Sequence, residues 1–155
     1  MKRQLDDAQL VIVGDGDDTP RLQALAWRHN LEEAVLFTGR VNDGTLKKLY
    51  RRAAVFAMPS RAERFGLVYL EAMLHRLPCI GSTHDAAGEI IVDDETGFLV
   101  DQSDIASLAK KMMCLLGDSG LRTRLGGAGF ERLHRQFSFE RFQNRIAELF
   151  DKLGA

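Results

Sequence analysis

Short apolar runs alternate with helical patterns along this chain, and this alternation restricts the fold more than any other feature. The runs are four or five residues long, and most stop at glycine, proline or serine. Continuous apolar strands separated by helices predict an α/β fold: a doubly wound parallel sheet, helices on both faces, then C-terminal helices. The predicted strands are residues 10–13, 34–38, 54–58, 79–82 and 97–100. The predicted helices are residues 20–30, 43–53, 66–77, 105–116, 119–135 and 138–153, and the short apolar segment 89–92 stays unassigned.

Length, charge and cysteine usage exclude several classes of protein. A chain of 155 residues fits one domain, and its net charge of −1 provides no basic field for nucleic acid. It has neither a long apolar run nor a signal peptide, so we expect a cytoplasmic protein. Cys79 and Cys114 lack motif spacing, and we expect both to be buried free thiols.

Two carboxylates, Glu63 and Glu71, lie eight positions apart on either side of a Phe-Gly break and an apolar helix start. Glu71 is the only charge between Gly66 and Leu74, so its helix face is otherwise apolar. A carboxylate buried there requires a hydrogen-bond donor, and a ligand hydroxyl is one candidate. In the alternative interpretation Glu71 reaches solvent at the helix edge and Glu63 is an ordinary loop charge.

The same helix start predicts an anion site. The amides of Gly66, Leu67 and Val68 would be free at the helix N-terminus, and Glu71 follows Gly66 by roughly 7.5 Å along the axis. A nucleotide sugar, with phosphates at the helix end and ribose beside its first turns, fits this spacing.

Loops at the predicted carboxyl ends of the strands are rich in glycine and serine, where parallel sheets bind ligands. Gly14 and Gly16 follow the first strand but lack the third glycine of a dinucleotide fingerprint. Asp15 and Asp17 match an Asp-x-Asp metal motif, although aspartates are also common in such turns, and we favour the turn. Ser60 could reach a sugar or cap a local turn.

In order and spacing, several segments resemble the C-terminal, donor-binding half of a retaining GT-B glycosyltransferase, in the group that includes bacterial mannosyltransferases and glycogen synthases. The resemblance implies a hexosyltransferase of polysaccharide or glycolipid synthesis that uses a UDP-, GDP- or ADP-sugar and needs no cofactor or metal. The matching segments are residues 10–16, 37–41, 59–60, 63–73, 78, 89–91 and 96–100.

Roles follow from the resemblance, residue by residue. Glu71 would bind the ribose, and Glu63 would contact the transferred sugar as the candidate catalytic residue. Contacts to the sugar, diphosphate or base, mostly through backbone groups, are expected from Phe65, Gly66, Leu67, Arg40, Val41, Gly14, Gly16 and Ser60. Arg64, Asp85, Ala86 and Gly88 depart from the family pattern and leave the sugar specificity open.

The resemblance also implies partners. The N-terminal acceptor domain, and the first strand and helix of the donor half, would lie outside this sequence, because only nine residues precede Leu10. That strand is central in the family's sheet. The two strands on either side of the missing one must therefore pair directly, leave a gap between them or pair with a strand from another chain. We expect a tendency to form homo-oligomers through this edge.

Alternative functions remain at this stage. The chain could be a non-catalytic nucleotide-binding or assembly module on the same scaffold, or a fragment of a nucleotide-sugar epimerase. A basic helix face formed by Lys47, Lys48, Arg51 and Arg52 is either solvated or a peripheral contact to an anionic lipid or membrane.

Overall fold

The computed structural model describes residues 7–61 and 63–153, with the side chain of Leu153 excepted. These residues form two compact units, which divide between Arg51 and Arg52.

The first unit contains two parallel strands, each followed by a helix. Strand β1 pairs with strand β2 in a register that places Leu10 opposite Val35. Beyond the ladder, the N–H of Gly14 donates to the carbonyl of Gly39 at 2.9 Å, so the two strand ends remain joined. Its elements are β1 (Leu10–Ile12), α1 (Thr19–Arg28), β2 (Val35–Phe37) and α2 (Asp43–Arg52), whose last residue begins the second unit.

The second unit contains a three-stranded parallel sheet with the order β3-β4-β5. The central strand is buried along its whole length, in keeping with its continuous apolar sequence. The remaining elements are β3 (Phe56–Ala57), α3 (Leu67–Leu74), β4 (Cys79–Ser82), α4 (Ala87–Ile90), β5 (Gly97–Val100), α5 (Ile105–Gly117), α6 (Ser119–Gln136) and α7 (Phe139–Leu153).

The core of the second unit lies between the sheet and the helices α5 and α6. Ile80 and Phe98, from neighbouring strands, pack with Leu115 and Leu125 from the two helices. Both helices begin at an aspartate: Asp104 Oδ1 accepts the N–H of Ser107, and Asp118 accepts that of Leu121.

The structure confirms the α/β class and the parallel strands, at all five predicted places. The strands are grouped into two sheets, one in each unit. The unassigned segment contributes to a short helix, α4, because Ala87 and Ile90 pack inward.

The two cysteines differ in their exposure to solvent. Cys79 is buried as predicted, and burial raises the pKa of its thiol. The prediction of a buried Cys114 was wrong, because its position on α5 faces solvent.

Candidate functional site

The loop before α3 turns into the helix at Gly66. Gly66 adopts a left-handed conformation with φ 72°, which glycine tolerates best. A Cβ atom here would lie 2.8 Å from the Tyr69 ring and 2.9 Å from the Ile90 side chain. Both the backbone angle and the space therefore require glycine, and helix α3 begins at Leu67 as a result.

The carboxylate of Glu63 binds this turn. Its Oε1 accepts the N–H of Phe65 at 3.1 Å and the N–H of Gly66 at 2.9 Å. These two bonds, with Gly66 contributing more, hold the pKa of Glu63 below its ordinary value. The amides of Phe65 and Gly66, two of the residues that the resemblance assigns to a ligand, are thus occupied by Glu63 in this structure. The prediction that the amide of Gly66 is free was wrong, because the Glu63 carboxylate folds back onto the turn.

Glu71 lies on the solvent-exposed face of α3. The neighbouring Leu67 and Leu74 are 57% and 54% exposed, whereas Tyr69 and Met73, on the opposite face, are buried. The predicted apolar neighbours of Glu71 are present, and of the two alternatives the structure shows the one in which Glu71 reaches solvent, because this face of the helix is open. Glu71 therefore needs no ligand to offset desolvation, and it is accessible to one.

A second loop supports the Glu63 loop from the carboxyl end of β4. The N–H of Ala86 donates to the carbonyl of Glu63 at 3.2 Å. Asp85 Oδ1 accepts the N–H of Ala87 at 2.8 Å, while Oδ2 is buried without a hydrogen-bond partner among the described residues. The sequence marked Asp85 only as a departure from the family pattern.

Tyr69 joins α3 to the end of β3. Its hydroxyl donates to the carbonyl of Met58, two residues before Ser60. Burial raises the pKa of Tyr69, and the nearby carboxylate of Asp85 raises it further. The phenol therefore stays a neutral donor and fixes the loop that carries Ser60.

Polar side chains also meet at the carboxyl ends of β4 and β5. His84 Nε2 lies 3.4 Å from Asp101 Oδ2, and Ser103 donates both its hydroxyl and its N–H to Asp101 Oδ1. These bonds, led by the Ser103 hydroxyl, lower the pKa of Asp101 to about 2. Sequence reasoning missed Asp101, which could have been found as the first polar residue after the fifth strand.

The remaining predicted residues lie in two places. Gly14, Gly16, Arg40 and Val41 belong to the first unit, where Gly14 has φ 122° and Arg40 is exposed. Asp15 Oδ1 accepts the N–H of Gly16 at 3.0 Å, which is the predicted turn role. The second unit holds Ser60, Glu63, Phe65, Gly66, Leu67 and Glu71, and the structure brings Glu63, Phe65 and Gly66 into direct contact.

The sequence profile of the glycosyl transferases group 1 family matches residues 1–132. The chain belongs to this family. A phosphatidyl-myo-inositol mannosyltransferase from Mycobacterium leprae is 37% identical over 131 residues, which cover 84% of this chain and 34% of that protein.

Two solved structures are also similar. A sucrose-phosphate synthase from Thermosynechococcus elongatus aligns with a TM-score of 0.86 and 31% identity, over 97% of this chain and 39% of that one. The C-terminal domain of a group 1 glycosyl transferase, LpcC from Francisella tularensis, aligns with a TM-score of 0.78 and 27% identity, over 88% and 74% of the two chains. These alignments confirm the predicted half of a GT-B fold.

The glycosyl transferase chain spans 34 to 40% of the length of curated relatives that it matches. Within residues 7–61 and 63–153, no helix is both long and apolar enough to cross a membrane.

Proposed function

We propose that this chain is the donor-binding domain of a retaining glycosyltransferase, which moves a sugar from a nucleoside diphosphate to a hydroxyl of a glycan or lipid. The observation that carries the proposal is the exposed face of α3. Leu67, the first helical residue, has an amide with no acceptor inside the helix, and Glu71 follows four residues later on the same face. A helix-terminal amide and a carboxylate thus lie roughly 6 Å apart along one helix, and the proposal assigns them to a phosphate and a ribose.

Each part of a nucleotide sugar has a counterpart in this arrangement. The helix N-terminus attracts the diphosphate and stabilises its charge as it leaves. The carboxylate of Glu71 would accept hydrogen bonds from the ribose hydroxyls, while the exposed side chains of Leu67 and Leu74 would pack beside the ring. The half-buried Glu63 would contact the sugar being transferred, as the family resemblance implies.

Similarity to named transferases supports the reaction class. Two relatives, at 31% and 37% identity, are an N-acetyl-alpha-D-glucosaminyl L-malate synthase and a phosphatidyl-myo-inositol mannosyltransferase, and both names include a sugar group. The chain spans little more than a third of those proteins, so we expect it to bind the donor and to need a further domain for transfer.

Calorimetric titration of the purified chain with UDP, GDP and ADP in turn tests this proposal. We expect saturable binding of one nucleotide and a loss of roughly ten- to a hundredfold in Glu71→Ala, the range of a hydrogen bond to a charged group. Glu131→Ala removes an exposed helical glutamate on α6 and should leave affinity unchanged.

Unchanged affinity in Glu71→Ala would overturn the ribose assignment. Loss of the circular dichroism signal in that variant would mean that the carboxylate is structural. Failure of the folded wild-type chain to bind any of the three nucleotides would overturn the donor-domain proposal.

A further inference from the structure

We propose that the basic face of α2 docks on an anionic lipid surface. This surface is distinct from the residues of α3 and its preceding loop, so the inference stands apart from nucleotide binding. We call Lys47, Lys48, Arg51 and Arg52 the α2 basic face.

Helical geometry places these four side chains on one side of α2. At 100° per residue they span about 140° of the helix circumference, and all four are exposed. The opposite side carries Leu46, Leu49 and Tyr50, of which Tyr50 is buried and the two leucines are half-buried. The basic face is therefore the solvent-exposed side of the helix.

This face concentrates positive charge on one short helix. Four of the ten residues of α2 are basic, and its one acidic residue, Asp43, lies in the first turn, at the other end from Arg51 and Arg52. Among the described residues no ion pair involves any of the four. The chain as a whole is slightly acidic, with net charge −1, so this is a local concentration rather than a general basic character.

A flat array of negative charge suits such a face better than a single anion would. Four cations along about one and a half turns of a helix lie on its convex outer side, where they can contact a charged plane together. The apolar face is turned inward, so contact would be electrostatic, without insertion of the helix into the lipid. Binding should therefore require anionic lipid and weaken as salt shortens the Debye length.

Co-sedimentation of the 155-residue chain with lipid vesicles tests the inference. The probes are vesicles of phosphatidylcholine alone and of phosphatidylcholine with about one-third phosphatidylserine, at low and at high salt. Each basic residue near such a surface strengthens binding roughly fivefold, so replacing the four with Gln should weaken vesicle binding roughly 600-fold.

The matched control removes the same charge elsewhere. Replacing Arg28, Lys110, Arg135 and Arg141 with Gln takes four exposed cations from four different helices, α1, α5, α6 and α7. Loss of vesicle binding in the α2 variant but not in this control supports the proposal. Nucleotide affinity, measured in the same samples, should not change in the α2 variant, which separates this inference from the proposed function.

Several outcomes would overturn the proposal that the α2 basic face docks on anionic lipid. Equal loss in both variants would mean that only overall charge matters. Equal binding to neutral vesicles would assign the contact to exposed apolar residues such as those of α7. Tighter binding to a DNA duplex than to anionic vesicles at the same salt would identify nucleic acid as the partner. A double Lys47→Gln, Lys48→Gln variant, which keeps Arg51 and Arg52, gives the same test if the fourfold variant does not fold.

Discussion

Glu63 stabilises the turn into α3 through bonds that only its ionised form makes well. The two backbone N–H groups of Phe65 and Gly66 donate to one carboxylate oxygen, and they lower the pKa of Glu63 below its ordinary value of 4.5. Any anionic ligand that uses the same amides must first displace this carboxylate. Glu63 thus links the stability of the loop to the occupancy of the helix end.

The pH dependence of stability follows from this pKa shift. Because the pKa is lowered on folding, the contribution of Glu63 is present above pH 4.5 and is lost as pH falls through the folded-state pKa. Glu63→Gln should therefore be less stable than the wild type at neutral pH and equal to it in acid. Urea unfolding at several pH values measures this, with Glu95→Gln, an exposed glutamate whose side chain accepts no hydrogen bond among the described residues, as the control. A stability difference that persists at low pH would contradict the assignment.

Sequence reasoning identified Glu63 and Glu71 as candidate site residues, but it did not predict the hydrogen bonds of Glu63 or settle the exposure of Glu71. Their spacing and the break between them pointed to a helix start, which the structure confirms at Leu67. The bond from Glu63 to its own loop depends on the left-handed backbone of Gly66, and the exposure of Glu71 depends on which side of α3 packs inward. Both are set by tertiary contacts that single-sequence patterns do not encode.

At the level of elements, α6 packs closely on α3 because of its glycines. A Cβ atom on Gly126 would lie 2.0 Å from the carbonyl oxygen of Arg76, just beyond the end of α3, and one on Gly129 would lie 3.1 Å from Met73. From the sequence, these glycines only lower the helix propensity of the segment. In the structure they allow two backbones to approach, at a cost in propensity that packing offsets.

Adjacent glycines on α6 give opposite predictions. Gly126→Ala should destabilise the domain by about 1–3 kcal/mol, because the new methyl group meets rigid backbone. Gly127→Ala meets nothing within 4 Å and should stabilise it by up to about 1 kcal/mol, through helix propensity alone. Thermal and urea unfolding of the two variants measure the difference. Equal effects of the same sign would show that α6 does not pack on α3 in this way.

At the scale of the whole molecule, the sequence predicted the class and the order of elements well, because apolar runs and helical spacing are local signals. It predicted less well where the strands end. The strand predicted at residues 54–58 is observed only as Phe56–Ala57, because pairing with β4 sets its length. The division of the strands into two sheets also depends on long-range pairing. The residue pattern gave no indication of this division, whereas the family resemblance raised the question of how the strands pair.

The last helix carries an exposed apolar stripe. Five side chains of α7 lie at spacings of one, three and four residues and are 39 to 73% exposed: Phe139, Phe142, Ile146, Leu149 and Phe150. An apolar stripe of this length on a helix usually packs against another surface. We therefore predict that the isolated chain self-associates as its concentration rises, and that α7 contributes more to this than the open edges of the strands.

Light scattering over a range of concentrations tests this prediction. Phe142→Glu with Phe150→Glu places two charges in the α7 stripe and should shift the chain toward the monomer. The control, Ile105→Glu with Met113→Glu, removes two exposed apolar side chains of α5 and adds the same charge, so it should leave association unchanged. Association that persists in the α7 variant would assign the contact to the strand edges, since backbone pairing there does not depend on the helix. A wild-type chain that stays monomeric at every concentration would show that neither the α7 stripe nor the strand edges cause self-association.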